Sequence, residues 1–373
     1  MKTIAWKNLI AQDRIKELLS SAVANNTLGH AYLLCGEAGT GTFQAALELS
    51  IALLCRGGKE VPCYECESCK RTLRYAHPDF HVIMPVVLER EHKDSDGKLN
   101  AEGWEFLSSL ILNRIAEPYR LPRQGASPAI PVEWVKEVNH AIGRGAVEKG
   151  KNIAIIDGID SMNKESANAM LATLEEPPDD TLMLLMTHRP QAVLPTIASR
   201  CQMLRFGLLP SADIEKGLRA RYGAAAAQST IDEAAAYSLG SLGRAIDLCE
   251  NPIGELAEES RSLFEECLAG GWLRLASRVD ELARQGNDER IERLLMHLVY
   301  LFRSDMLRSV SSIGPEAPSI NRPEYAADLF KACQHAIDGV RAHGNLSIVM
   351  VNFITTFMEI IREQKQQLSG SHI

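Results

Sequence analysis

No segment of this sequence is apolar for long enough to cross a membrane, because charged residues interrupt every long hydrophobic stretch. The first ten residues lack the long apolar core of a signal peptide, so we expect a cytoplasmic protein. An excess of positive charge is also missing, since the formal net charge of the 373 residues is −8 at pH 7. That balance argues against a stand-alone cationic DNA-binding protein, but it permits local DNA contacts or a place in a DNA-binding assembly.

Short apolar runs alternate with helical patterns along residues 5–206. The runs with the length and composition of buried strands are Ala31–Cys35, Phe80–Met84, Asn152–Ile156, Leu182–Met186 and Cys201–Phe206. Strand, helix and strand in repetition predict a mainly parallel sheet with helices on both faces. The chain length is typical of two or three domains, and the 46% of hydrophobic residues is enough to build their cores.

The character of the chain changes near Leu209, beyond which no strand pattern remains. We expect a small helical domain over 209–252 and a larger helical domain after it. Near its end, apolar residues between Leu346 and Ile361 recur at helical spacing, which fits an internal bundle helix and a subunit interface equally well. Residues 86–129 interrupt the first region with a charged stretch, a short helical pattern near 102–116 and a run rich in Pro, Gly and Ser. We interpret them as an insertion whose role the pattern does not indicate.

A glycine-rich loop with Gly36, Gly39 and Gly41 follows the first strand and precedes a helix. In a working P-loop, GxxxxGK[ST], backbone N–H groups cradle phosphates, the lysine reaches the β- and γ-phosphates, and the hydroxyl residue holds magnesium. Here Thr42 stands at the lysine position and Phe43 at the hydroxyl position. The loop is therefore interpreted as a degenerate P-loop that does not bind ATP, and a plain glycine turn is the alternative.

Asp157 ends the third strand, where the magnesium-ordering aspartate of a Walker B motif belongs. In an active site the next residue is normally a glutamate that activates the attacking water, but here it is Gly158. Asp160, three positions on, cannot be assumed to take over that role. Asp157 alone could merely cap the next helix. Combined with the degenerate loop, it indicates a chain that hydrolyses no ATP.

Four cysteines, Cys55, Cys63, Cys66 and Cys69, lie close together in a polar, turn-rich segment that follows the P-loop helix. Four thiolates with two x2 spacings fit tetrahedral zinc. Because all four ligand positions are filled by protein, the predicted zinc ion is structural. Unligated thiols and a redox pair are the alternatives, and the second is weaker because two further cysteines accompany the CxxC spacing.

Ser199-Arg200-Cys201 lies between the fourth strand and the fifth. Considered alone, Arg200 fits a surface residue or a carboxylate partner. The two altered nucleotide motifs and the four cysteines in the same chain favour a functional role for Arg200 over these two alternatives.

These motifs together resemble those of bacterial clamp-loader subunits of the AAA+ superfamily, over most of residues 1–250 and more weakly beyond. The shared features are the four-cysteine module after the P-loop helix, the Leu-Glu-Glu-Pro-Pro segment at Leu174–Pro178, His77–Asp79 and Ser199–Cys201. In that family the active gamma/tau subunits keep both Walker motifs, and the delta subunit lacks the zinc module and the arginine. The delta-prime type keeps those two features beside a degraded P-loop, and this sequence resembles that type.

The resemblance implies an AAA+ α/β module over 1–208 with the zinc module at 55–69, a helical lid over 209–252 and a helical collar over 253–373. It implies that Arg200 reaches the γ-phosphate of a neighbouring subunit, and that Thr187 and Arg244 occupy the sensor 1 and sensor 2 positions. The collar would join five subunits in a ring that loads a sliding clamp on primed DNA. The expected partners are gamma/tau and delta subunits, and ATP is bound by those neighbours rather than by this chain.

Two other functions are alternatives to a non-hydrolysing clamp-loader subunit. An active ATPase of gamma/tau type would need a lysine after Gly41 and a glutamate after Asp157, and both are absent. A zinc-stabilised AAA+-like scaffold outside replication keeps the same motifs, and would differ by failing to co-purify with a clamp or polymerase.

Overall fold

A computed structural model describes residues 2–121, 128–148, 150–252, 254–269, 288–311, 323–341 and 345–370, with short pieces between 277 and 284. The chain divides into two compact units, Met1–Glu250 and Asn251–Ile373.

The first unit contains a five-stranded parallel sheet. The described strands, in chain order, are β1 (Thr3–Ile4), β2 (Ala31–Cys35), β3 (Glu60–Val61), β4 (Phe80–Ile83), β5 (Asn152–Ile156), β6 (Thr181–Thr187) and β7 (Gln202–Arg205). The large sheet has the order β4-β5-β6-β2-β7, and all its pairs are parallel. Every residue of β2, β5 and β6 is buried, as in strands covered on both faces, whereas edge strand β7 exposes three of its four residues. The five predicted strands and the α/β class are confirmed.

Ten α-helices of the first unit lie between or after these strands in the part of the chain that the structure describes. They are α1 (Asp13–Ala24), α2 (Thr42–Leu54), α3 (Glu67–Leu73), α4 (Ala101–Ala116), α5 (Val132–Gly143), α6 (Lys164–Glu175), α7 (Pro195–Ala198), α8 (Ser211–Tyr222), α9 (Gln228–Tyr237) and α10 (Leu242–Glu250). Side-chain caps fix the starts of two of them: Asn100 accepts from the Gly103 N–H and Asn163 from the Ser166 N–H. Helix α6 ends before Pro177, as the sequence predicts.

The insertion at 86–129 has its ends pinned together and its helix packed inward. Val86 and Ala129 exchange two backbone hydrogen bonds, of 3.0 and 3.2 Å, in an isolated antiparallel bridge. Helix α4 buries Leu107, Ile111 and Ile115 in the same hydrophobic core as the sheet. The insertion is thus part of the folded module rather than a surface loop.

A buried carboxylate ties the N-terminal segment to α2. Glu48 is 0% exposed and accepts from the backbone N–H groups of Lys7 at 2.7 Å and Leu9 at 3.0 Å. It also accepts from the Tyr64 hydroxyl, at 2.8 Å, in the cysteine-rich segment. The N-terminal segment is also held by β1, which pairs in parallel with β3 of the cysteine-rich segment. The sequence did not predict these two strands, because strands of two residues leave no periodic pattern.

Residues after 209 in the first unit form a second core of their own. Helices α8, α9 and α10 bury Ile214, Leu218, Ile231 and Ile246 against one another. Tyr119, from the insertion, belongs to this core as well.

The second unit is helical throughout its described residues. Its helices are α11 (Glu255–Ala269), α12 (Asp288–Ser311), α13 (Pro323–Arg341) and α14 (Leu346–Gly370). On α14 the predicted stripe is buried at Met350, Phe353, Ile354 and Phe357, and Ile348 is 60% exposed on another face. Among the residues described, no helix combines the length and the apolar character needed to cross a membrane.

Glu48→Ala should destabilise the first unit by about 3 kcal/mol, because backbone donors at 7–9 lose their acceptor and each buried unsatisfied donor costs about 1–3 kcal/mol. Urea denaturation followed by circular dichroism measures the loss. The matched control is Glu17→Ala on the exposed side of α1, which should stay within about 0.5 kcal/mol of the unchanged chain. Equal losses from the two variants would contradict this role of Glu48.

Candidate functional site

The carboxyl ends of β2, β5 and β6 bring the predicted nucleotide-site residues to one edge of the sheet. Cys35 pairs with Thr187 in register, and the Gly36 N–H donates to the Thr187 carbonyl at 3.2 Å. Asp157 follows β5, the other neighbour of β6. Ligands of open parallel sheets bind outside this edge, so the fold places the glycine loop, Asp157 and Thr187 where a nucleotide site belongs.

The glycine loop keeps the turns of a phosphate-binding loop but not its ligands. Gly39 and Gly41 adopt φ values of +79° and +106°, which favour glycine. Thr42 is the first residue of α2, and Phe43, at the magnesium-hydroxyl position, is 1% exposed within the core. The loop thus has glycine-dependent turns, while Thr42 and Phe43 stand where a working P-loop has its lysine and its hydroxyl residue.

Asp157 is held by a cation from its own chain. The Nε of Arg114, on insertion helix α4, donates to Oδ2 of Asp157 at 2.9 Å. The Arg114 guanidinium carbon also lies 4.2 Å from the centre of the Phe43 ring. The acidic group that would order magnesium is therefore occupied by an arginine.

Gly158, at the position of the catalytic glutamate, has a backbone that a glutamate would strain. Its φ is +67°, and a Cβ built there would lie 2.8 Å from Cγ of Pro85. A side chain at this position would require both a left-handed backbone and a shift of Pro85. Position 158 therefore differs from that of a working site in two respects: it has no carboxylate, and its backbone conformation would strain one.

Asp160 is bonded to Thr187, the residue that the sequence predicts at the sensor 1 position. Its side chain is 0% exposed, and its Oδ1 accepts from the Thr187 hydroxyl at 2.7 Å. Its Oδ2 accepts from Nε of Arg189 at 2.9 Å, while the Arg189 N–H donates to Oγ1 of Thr187 at 2.9 Å. With both oxygens bonded in this way, Asp160 is a structural carboxylate.

The start of α10 packs directly on the glycine loop. Ser241 Oγ donates to the Ala38 carbonyl at 2.7 Å, and the Gly243 N–H donates to the Gly39 carbonyl at 3.2 Å. Arg244, at the sensor 2 position, forms a salt bridge with Glu37 of the loop. The loop's carbonyls and its acidic side chain thus bond to the helix that follows the sheet module.

These residues do not fit magnesium-ATP. Phe43 offers no ligand, Asp157 is paired with Arg114, and Gly158 carries no base. We therefore derive no hydrolytic step at this site.

The four cysteines converge into a cluster suited to a metal ion. Sγ atoms of Cys55, Cys63, Cys66 and Cys69 all lie within 4.8 Å of one another. The Sγ of Cys55 lies 3.5 Å from that of Cys63 and 3.9 Å from that of Cys66. Tetrahedral zinc about 2.3 Å from each thiolate places the sulfurs about 3.8 Å apart. The cluster therefore has the dimensions of such a site.

Backbone donors favour the thiolate form of Cys63. The Cys66 N–H points at Sγ of Cys63 at 3.4 Å, and the Gly57 N–H at Sγ of Cys55 at 3.3 Å. Hydrogen bonds from the backbone of Cys66 and Glu65 lower the pKa of Cys63. Metal ligation requires deprotonated sulfur, so these bonds prepare the segment for a cation.

Arg200 lies where the parallel strands begin, at the end of the sheet opposite the one that carries the glycine loop. It comes two residues before β7, whose Gln202 pairs with Tyr32 near the amino end of β2. Its guanidinium forms a 2.7 Å salt bridge with Glu175, at the end of α6, and donates to the Thr196 carbonyl at 2.8 Å. Glu175 belongs to the Leu174–Pro178 segment that carried the resemblance, so two motifs separated in sequence meet here.

Sequence reasoning missed Arg114 and Tyr119, both in the insertion. A signal was present for Arg114, because it follows buried Leu107 by seven residues and so falls on the apolar face of its helix. A charged residue at such a position needs a buried partner. Which partner it finds depends on the fold, since Asp157 lies 43 residues away.

Gly39→Ala should destabilise the first unit by about 1–3 kcal/mol more than Gly97→Ala, because it adds overpacking to backbone strain. A Cβ at Gly39 would meet Ser241 Oγ at 2.5 Å and the Gly243 backbone at 2.8 Å. Gly97 is the matched control, since its φ of +77° is nearly the same and a Cβ there meets nothing within 4 Å. Urea midpoints of the two variants measure the difference, and equal midpoints would show that the loop and α10 are not packed together.

A family model described as DNA polymerase III, delta subunit, matches residues 11–209, which is more than half of the chain. The delta-prime subunit of DNA polymerase III from Bacillus subtilis is 32% identical over 58% of this chain and 54% of its own length. The delta-prime subunit from Pseudomonas aeruginosa is 30% identical over 46% of this chain and 41% of its own. The tau subunit from Bacillus subtilis is 24% identical over 55% of this chain and 30% of its own.

The chain spans about half the length of the curated relatives it matches. A solved structure from Thermotoga maritima, described as a DNA polymerase III gamma subunit-related protein, covers 94% of this chain at 15% identity and a TM-score of 0.40. The relatives by sequence confirm the resemblance to delta-prime-type clamp-loader subunits. With a family model matching more than half of its length, the chain belongs to the DNA polymerase III delta subunit family.

Proposed function

We propose that this chain is a non-hydrolysing, delta-prime-like subunit of a replicative clamp loader, and that it supplies Arg200 to the ATP site of a neighbouring subunit. The observation that carries the proposal is the position of Arg200. It lies at the amino edge of the sheet, while the chain's own glycine loop lies at the carboxyl edge. Four steps of β2 at about 3.3 Å each separate the two edges by roughly 13 Å.

The environment of Arg200 supports a role toward an external anion. Its side chain is held by an exchangeable partner, since the ion pair with Glu175 is half-exposed. Such exposed pairs contribute little free energy, so a phosphate can replace the carboxylate at low cost. The guanidinium is planar and permanently charged, and it offers two parallel donors to phosphate oxygens.

The lack of hydrolysis rests on several observations made at separate positions. Thr42 and Phe43 replace the phosphate and magnesium ligands, Arg114 occupies Asp157, and Gly158 supplies no base. An active ATPase of gamma/tau type is disfavoured by the same residues. ATP is accordingly bound by the neighbours, whose sites receive Arg200.

In this proposal the domains keep the roles that the resemblance implies. Residues 1–208 form the AAA+ module, 209–252 its lid, and 253–373 the collar through which gamma/tau and delta subunits assemble. The complete assembly opens a sliding clamp and places it on primed DNA. The separate cores of the sheet region and of residues 209–246 are in keeping with a distinct lid.

We also propose that the cysteine cluster holds one structural zinc ion. Four sulfurs within 4.8 Å leave no open coordination position, so the ion would cross-link the segment after α2 and would take no part in catalysis. The segment carries β3, which pairs with β1, and Tyr64, which bonds to Glu48. The zinc would therefore also anchor the N-terminal segment.

Arg200→Ala should leave the fold and assembly intact but reduce turnover at the neighbouring ATP site, by about 10³-fold or more. The experiment measures ATP turnover and clamp loading by the complex reconstituted with gamma/tau and delta subunits, clamp and primed DNA. Arg200→Lys should recover little, because an ammonium does not reproduce the guanidinium fork.

Arg219→Ala on α8 is the matched control, since it also removes an arginine, but one that is exposed and lies in the proposed lid. It should leave both rates unchanged. The isolated chain should hydrolyse no ATP. A complex that contains the Arg200→Ala chain and loads clamps at the unchanged rate would refute the trans-acting role.

Elemental analysis of the purified chain should give about one zinc per molecule. Cys66→Ser should release the metal and lower thermal stability while the parallel sheet stays folded. Cys249→Ser, outside the cluster, should keep the zinc. Native protein that contains four reduced thiols and no metal would contradict the zinc proposal.

A further inference from the structure

We propose that the insertion acts as a permanent occupant of the vestigial nucleotide site, with Arg114 in the place of the magnesium ion. This goes beyond the proposed function and does not depend on Arg200. It assigns a role to a segment that the sequence left without one.

The position of Arg114 is defined by the two groups that hold magnesium in a working site. Those groups are the P-loop hydroxyl residue and the Walker B aspartate. Here the first position is Phe43 and the second is Asp157. The Arg114 guanidinium lies 4.2 Å from the ring centre of Phe43 and donates to Asp157 at 2.9 Å. One cation of the chain therefore contacts both positions.

A second nitrogen of the guanidinium is also bonded, which fixes the placement of the group. Nη1 of Arg114 donates to the carbonyls of Pro118 at 3.0 Å and Arg120 at 2.9 Å. The side chain is only 12% exposed. These bonds turn the chain back after α4 and bring Tyr119 next to Gly41 of the glycine loop.

Tyr119 fills the space next to that loop. A Cβ on Gly41 would meet Cε1 of Tyr119 at 3.2 Å, and a Cβ on Gly243 would meet the Tyr119 carbonyl at 2.3 Å. The Tyr119 hydroxyl accepts from the Ile10 N–H at 2.8 Å and donates to the Asn8 carbonyl at 3.2 Å. Tyr119 thus contacts the loop, the N-terminal segment and the start of α10 at once.

Ion pairs fasten the same segment to the lid helices. Glu117 pairs with Arg221 of α8 at 2.7 Å, and Arg120 pairs with Glu250 of α10 at 2.7 Å. The segment therefore connects Asp157 of the sheet module with two of the three lid helices, α8 and α10. Because these connections are made by residues of the chain itself, they hold the module and the lid of the first unit together.

The experiment uses the full-length chain and follows thermal unfolding with and without MgCl₂. Arg114→Ala leaves a carboxylate without a partner in a partly buried place, so its melting temperature should fall by about 5 °C or more. Added MgCl₂ should restore part of that loss, because the position between Asp157 and the loop is open to a cation. The unchanged chain should show no such response.

Arg114→Ala combined with Asp157→Ala should abolish the response to MgCl₂. Arg71→Ala is the matched control: it breaks a 2.6 Å pair with Glu148 outside this site, and its loss of stability should not respond to MgCl₂. Arg114→Lys keeps the charge and should recover part of the melting temperature, which keeps the test decisive if the alanine variant does not fold. A folded Arg114→Ala chain that ignores MgCl₂, or a lysine variant that recovers nothing, would overturn the proposal.

Discussion

The parallel order of β2, β5 and β6 is the constraint on which the rest of this structure depends. Because their carboxyl ends meet at one edge, the glycine loop, Asp157 and Thr187 are held together whether or not they bind anything. An acidic residue and a set of free backbone groups at such an edge need partners. In this chain the partners come from the insertion and from the start of α10, so this edge of the sheet is a packing interface.

The acidic groups at this end of the sheet have cationic partners from the chain itself. Arg114 pairs with Asp157, and Arg244 pairs with Glu37. Each acidic group thus has a counter-charge close by, which matters in a poorly solvated cleft.

The opposite edge of the sheet retains a group suited to an external anion. Arg200 is held by Glu175 through a half-exposed pair, in contrast to the mostly buried pair of Arg114 and Asp157. The difference in exposure means that the first pair can exchange for a phosphate at little cost, while the second resists exchange. Asp157 is therefore firmly paired, whereas Arg200 can exchange its partner, as its proposed role toward a neighbouring subunit requires.

The sequence alone was sufficient for the five strands of the large sheet, the helices after residue 209 and the grouping of the four cysteines, because each of these depends on residues close together in the chain. It also placed Arg200 and Glu175 in separate motifs without showing that they meet. The role of the insertion required the tertiary structure. Arg114 finds Asp157 across 43 residues and Tyr119 finds Ile10 across 109, and no local pattern specifies such pairs. They are determined by how strand order and helix packing bring distant segments to one edge of the sheet.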